Sequence, residues 1–335
     1  MTARMPPEWA PQDWLWIGFP HLAEEWPGWL EAAQEQIAAF ADAVARSGQT
    51  VRLLVRDAAS EVRARSLVRE GVVLERRVFG DIWLRDTGPL VVSDGSMRAA
   101  RIFAFNGWGG KYRMRGDETI GAQLARDAGL ASNESAMVLE GGAIDGDGTG
   151  TAITTEQCLL NPNRNPAMDR AAIEDELRGT LGITRLIWLG EGLVNDHTDG
   201  HVDNLARFVG EGRVVLPQAM SEDDPNSAIY ADAAQRIREA GLNVIGIPSP
   251  GLIQRDGRIE PASYVNFAIT SRLVVVPTFG SPHDEAGVAA IAALFPDRAT
   301  IGLRADAVLA GGGGFHCASQ QMPALAASTS GQFDA

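Results

Sequence analysis

An α/β architecture of repeated strand–strand–helix units is expected for this 335-residue chain, on three grounds. Five amphipathic helical segments can be placed, near residues 30–46, 118–128, 167–181, 226–240 and 284–294. From the second onward their starts recur at intervals of roughly 50 to 60 residues, the spacing of a supersecondary repeat. The apolar, β-branched runs between them are too numerous for a single open sheet of alternating strand and helix.

The first helix puts Leu30, Ile37, Phe40, Ala41 and Val44 on one face, and Gly48 ends it. Strands are expected at 51–55, 72–79, 101–105, 186–189, 213–216, 243–247 and 273–277, where apolar residues run between turn signals. Cys158 falls in a strand-like segment and reads as structural, and Asp145-Gly146-Asp147-Gly148 reads as a turn. No linker rich in Pro, Gly or Ser divides the chain. One catalytic domain is therefore expected over residues 1–323, with a disordered tail at 324–335.

Composition narrows the function classes. Forty-three acidic and 29 basic residues give a formal charge of −14, which argues against a nucleic-acid partner, since that needs a basic face. The same charge suits a small cationic substrate, because an acidic cleft concentrates cations; solubility is the plainer explanation. Two cysteines far apart are no disulfide framework, the N-terminus has no apolar stretch of signal-peptide length, and no run approaches the ~20 apolar residues of a membrane span. A cytoplasmic protein without a membrane partner is expected, and a homo-oligomer is left open.

Cysteine is rare here, and Cys317 has an unusual setting. It closes the run Gly311-Gly312-Gly313-Gly314-Phe315-His316-Cys317. Four glycines ahead of a thiol let a ligand approach the backbone, and a histidine nearby would make the thiol a candidate nucleophile. An ordinary buried cysteine beside a glycine-rich loop is the alternative.

Three further clusters hold polar groups that a plain strand or turn does not need. Trp83-Leu84-Arg85-Asp86-Thr87-Gly88-Pro89 carries an aspartate ahead of a Gly-Pro break, although Asp86 could simply cap that turn. Glu140-Gly141-Gly142 follows an apolar strand end. Asp196-His197-Thr198-Asp199-Gly200-His201-Val202-Asp203 packs two histidines and three carboxylates together. A thiol, a histidine and several carboxylates suit attack on a cationic carbon.

With Ala262-Ser263-Tyr264-Val265-Asn266-Phe267 and the stretch from Thr154 to Pro166, these motifs resemble those of agmatine deiminases and bacterial peptidylarginine deiminases, over about residues 7–323. The resemblance implies the pentein fold, a five-bladed α/β propeller of ββαβ units around a central site, and a guanidine-modifying hydrolase with neither metal nor organic cofactor. It also implies that the Cys317 thiolate adds to the guanidinium carbon and that His201 protonates the departing ammonia. His201 then activates the water that resolves a covalent thiouronium. With agmatine the product would be N-carbamoylputrescine, on the way to putrescine. Asp86 and Asp203 would grip the planar guanidinium, Glu140 would orient His201, and Trp83 would cover the guanidinium face. Asn266 and Gly314 would line the pocket.

Agmatine deiminases read Asn-Asp-Glu-Thr-Asp-Gly-His where this chain has Asn195-Asp196-His197-Thr198-Asp199-Gly200-His201. His197 thus replaces the glutamate placed to meet the substrate amine. Agmatine leads as substrate, and another small guanidine or a peptidyl-arginine is the alternative. A rival from another class is a dimanganese guanidine hydrolase using Asp199-Gly200-His201-Val202-Asp203; it leaves Cys317 without a role, and no second aspartate-rich cluster accompanies it. A catalytically dead binding protein of the same fold is a weaker rival, since every expected catalytic residue type is present.

Overall fold

The computed structural model describes residues 3–325, so the tail expected at 324–335 lies almost wholly outside the described residues. The chain repeats one unit: two antiparallel strands, a helix, then a strand parallel to the second. Four blades follow directly in sequence. They are Leu90–Ser93, Arg98–Ala104, helix Asp117–Asp127 and Ala131–Val138; then Asp145–Gly146, Thr151–Thr155, helix Arg170–Leu181 and Arg185–Leu189. Next come Arg207–Gly210, Arg213–Gln218, helix Ser227–Glu239 and Asn243–Pro248; and Ala268–Ile269, Leu273–Thr278, helix Asp284–Ala292 and Ala299–Arg304.

The remaining blade closes the ring. The C-terminal strand Ser319–Pro323 pairs antiparallel with the N-terminal strand Gln12–Gly18, placing Ile17 opposite Ser319. Gln12–Gly18 then runs parallel to Thr50–Val55 after helix Leu30–Arg46, and helix Ala58–Leu67 adds Val72–Arg76 as a fourth strand. The turn that holds Cys317 therefore runs into a strand anchored by the opposite end of the chain.

Burial explains the regular elements. Ile37, Phe40, Ala41 and Val44 are all buried between helix and sheet, and the Phe40 and Phe315 rings lie 4.7 Å apart. Each large apolar side chain buried this way contributes about 1.5–3 kcal/mol, more than any difference in helix propensity. Gly48, at φ +87°, takes the left-handed conformation just past the helix.

Where the structure departs from the sequence expectation, local chemistry explains it. Helix Ala58–Leu67 buries only Ser60 and Ala64 and so has no apolar stripe; it is set by reciprocal Asp57 and Ser60 caps. Strand Gln12–Gly18 is mostly buried on both faces and shows no alternation, whereas Ala131–Val138 is a largely exposed edge. The expected 72–79 strand stops at Arg76. Cys158 is not in a strand but in the short helix Glu156–Leu159, capped by Thr155. Asp145-Gly146 pairs with Ile153 and Ala152, so only Asp147 onward forms the expected turn, closed by Asp147 accepting from the Thr149 N–H at 2.8 Å.

Candidate active site

Each sequence-derived cluster precedes the first strand of a blade. The turn Leu84–Thr87 leads into Leu90–Ser93, Glu140 into Asp145–Gly146, and His201 with Asp203 into Arg207–Gly210. Asn266 leads into Ala268–Ile269 and Cys317 into Ser319–Pro323. The repeat thus delivers one set of side chains per blade to a common centre, where all of these groups are buried.

Cys317 Sγ lies 3.5 Å from Asp203 Oδ2 and 3.1 Å from the Asn266 Nδ2 donor. Asn266 also donates to Asn204 at 2.9 Å, and Asn204 donates to Asp196, which receives the Thr198 N–H. The polar 195–203 loop is thereby tied to the thiol. Burial, then the charges of Asp203 and Asp86, push the Cys317 thiol well above its usual range, against hydrogen bonds from the Gly314 backbone and Asn266.

Asp86 accepts from the Gly142 N–H at 3.0 Å and from the Trp108 indole at 2.9 Å, and its Oδ1 stands 3.7 Å from His201 Nδ1. Its carboxyl is pushed up to about 6, chiefly by burial, with His201 opposing and Asp203 adding to the rise. Burial depresses His201, but the nearby Asp86, Cys158 and Glu140 outweigh it and hold the imidazole well above its usual range. The expected orienting contact between Glu140 and His201 is not a hydrogen bond. Glu140 Oε1 instead accepts Arg164 Nε at 2.7 Å, and Glu140 Oε2 and both His201 nitrogens have no hydrogen-bond partner among the described residues. A buried polar group left so is available to a ligand or water.

A buried ionic network behind the thiol was not read from the sequence. Behind Cys317, the His316 ring sits between Asp203 (2.7 Å) and Glu8 (2.6 Å), and Glu8 also pairs with Arg85 at 2.9 Å and with Arg207. Arg207 in turn pairs with Asp145 at 2.6 Å. Arg85, His316 and Asp145 fall in stretches already singled out, but Glu8 and Arg207 lie in none, so no local pattern marks the network that joins them. Trp108 has a left-handed backbone (φ 50°), and its indole donates to Asp86.

A cavity of about 1000 Å³, lined by Trp83, Trp108, Tyr112, His197 and Gly312 among others, adjoins this layer through Trp108, whose indole donates to Asp86. Glu24, Glu25, Asp81, Asp196 and Glu260 face it, with Arg258 as the only lysine or arginine among its lining residues. The glycine run is required by close packing. A Cβ on Gly312 (φ +112°) would stand 2.1 Å from the His197 ring, and one on Gly314 2.4 Å from Asn266 Oδ1. His197 therefore packs against the Gly312 backbone in the cavity wall, and Gly314 lies beside the thiol's amide partner.

Among the described residues, donor atoms of Glu140, Cys158 and His201 lie within 4.8 Å of one another and could approach a cation, but Arg164 already occupies one side of Glu140. The Asp199-Gly200-His201-Val202-Asp203 run does not converge as a ligand set. Asp199 turns to Lys111 (2.7 Å) and Arg164 (2.7 Å), and Asp203 to His316.

The relatives agree with this architecture. A family model of Porphyromonas-type peptidyl-arginine deiminases matches residues 4–323. The agmatine deiminase of Pseudomonas aeruginosa is 35% identical over 357 residues, covering 96% of this chain and 95% of the relative. The agmatine deiminase structure of Enterococcus faecalis superposes with a TM-score of 0.91 at 28% identity over 96% of each chain. That of C. jejuni does so with 0.87 at 25% identity over 96% of each. The chain belongs to the Porphyromonas-type peptidyl-arginine deiminase family, hydrolases of carbon–nitrogen bonds in linear amidines, and its five-bladed ring is the pentein fold.

Proposed function

We propose that this enzyme deiminates a small guanidine with a cationic tail, agmatine first among them, through a covalent Cys317 intermediate. The observation that carries the reading is the Cys317 thiol set 3.5 Å from Asp203, in the same buried layer as Asp86 and His201. A planar guanidinium matches carboxylates on its N–H edges, and each such charged hydrogen bond contributes about 1.5–3 kcal/mol.

In the empty site the thiol keeps its proton, because a thiolate would face two carboxylates. Binding of the guanidinium supplies the missing positive charge, and the thiol gives up its proton to solvent. Sγ then bonds to the guanidinium carbon. The C–N bond breaks as protonated His201 passes its proton to the leaving ammonia, and a thiouronium remains. Neutral His201 next takes a proton from water, the oxygen adds to the same carbon, and the C–S bond breaks to release a ureido product. Trp83, which lines the cavity, covers the guanidinium face; Glu140 and Arg164 hold the electrostatics around His201. With agmatine the product is N-carbamoylputrescine, a precursor of putrescine.

Ammonia release should be measured with agmatine, arginine, a C-terminal arginyl peptide and simple alkylguanidines. The highest kcat/KM is expected for agmatine. Preference for the peptide would move the reading to peptidyl-arginine, and release of urea instead of ammonia would overturn deimination.

A further inference from the structure

We infer that Glu8, far upstream of every motif, is a positioning residue for guanidinium capture that acts through His316 on Asp203. The inference rests on the reading of Asp203 as a substrate-gripping carboxylate.

Three observations carry it. Both ring nitrogens of His316 lie against carboxylate oxygens, Nε2 at 2.6 Å from Glu8 and Nδ1 at 2.7 Å from Asp203, so the ring can bond both only by donating from each nitrogen. That bond leaves Asp203 with Oδ2 engaged by His316 and facing the thiol. Its Oδ1 is buried without a hydrogen-bond partner among the described residues, an acceptor ready for a substrate N–H. Glu8 also faces Arg85 and Arg207, whose guanidiniums stand behind the site with almost no exposure. Without the Glu8 charge, only Asp145 and Asp203 would oppose those two cations, and the site would resist a third.

The electrostatics agree. Asp203 faces His316, His201, Arg207, Asp86 and Cys317; burial raises its carboxyl, but the His316 hydrogen bond and the cations outweigh that and hold it below the usual range. Glu8, buried among Arg207, Arg85 and His316, is likewise held low.

Glu8→Gln and Glu8→Asp in the full chain test this. For Glu8→Gln, KM for agmatine should rise about tenfold to a hundredfold with kcat nearly kept, the range of one lost charged contact. The acid limb of kcat/KM should move to lower pH, because Asp203, left to oppose Arg85 and Arg207, takes up a proton less readily. Glu8→Asp should restore part of both, and it carries the test alone if Glu8→Gln fails to fold. The 15N signal of His316 Nδ1, the nitrogen that faces Asp203, should shift in Glu8→Gln. Unchanged KM and pH profile with only a lower melting temperature would overturn the inference and leave Glu8 a strap on the chain; so would a loss confined to kcat. If the wild-type protein turns over none of the guanidines, the proposed function fails, and the His316 signals alone decide this inference, with no change in Glu8→Gln refuting it.

Discussion

Asn266 holds Cys317 through both ends of one amide: Nδ2 is 3.1 Å from Sγ, and Oδ1 accepts the Cys317 backbone N–H at 3.3 Å. The first contact favours a thiolate, which the neighbouring Asp203 and Asp86 oppose. In the free enzyme the carboxylates and burial prevail, so inactivation by iodoacetamide should accelerate with pH up to and beyond about 9 rather than level off near neutrality. Asn266→Ala removes the favourable contact and should move that profile further upward. Saturating agmatine should protect. A plateau below pH 7 would contradict a protonated resting thiol.

Cys317→Ala should release no ammonia while its melting temperature stays near that of the wild type, since the proposed mechanism makes Sγ the nucleophile and little packing is lost with it. EDTA should leave the native enzyme's activity unchanged. Inactivation by EDTA together with urea as product would favour metal-dependent hydrolysis.

Asp86→Asn and Asp203→Asn should each lower kcat/KM by at least about a hundredfold. Each replaces a charged grip on a desolvated cation with a neutral one, and leaving a charge unpaired exceeds the roughly 1.5–3 kcal/mol of the bond itself. The two losses should not add if both carboxylates hold one guanidinium, as proposed. Near wild-type kinetics in either variant would remove that residue from the site.

His197 lines the cavity against Gly312, and burial lowers its pKa, so the ring brings no countercharge for an ammonium. His197→Glu should lower KM for agmatine by up to about tenfold, or about 1.4 kcal/mol, while uncharged alkylguanidines change little. An unchanged agmatine KM would show that another wall of the cavity meets the tail.

Asp81 offers a test through stability. Its carboxyl is pushed up to about 8, by burial first and further by Asp117, against the Ile82 N–H. The folded chain thus retains a proton that the unfolded chain releases near pH 4. This contribution is complete below about pH 4 and is lost as the pH rises through 8. The melting temperature of Asp81→Asn relative to wild type should therefore climb between pH 4 and 9. A difference independent of pH would show that Asp81 is already ionised.

What the chain declares by itself is local. The apolar faces of the blade helices follow a helical period, and Gly311 to Gly314, Glu140-Gly141-Gly142 and Trp83 to Pro89 stand out because polar groups lie beside residues without side chains. The order of those motifs was enough to name the family. Only the folded ring decided how the pieces meet. Two-residue strands such as Asp145–Gly146 and Ala268–Ile269 exist because neighbouring strands complete their hydrogen bonds, which no window of sequence can register. Glu140 turned to Arg164 rather than to His201, since a buried guanidinium demands a carboxylate more strongly than an imidazole does. Glu8 reached His316 across 308 residues of sequence. Periodicity and glycine punctuation report on a few neighbouring residues, whereas ion pairing in a buried centre is settled by whichever charges the fold brings within reach.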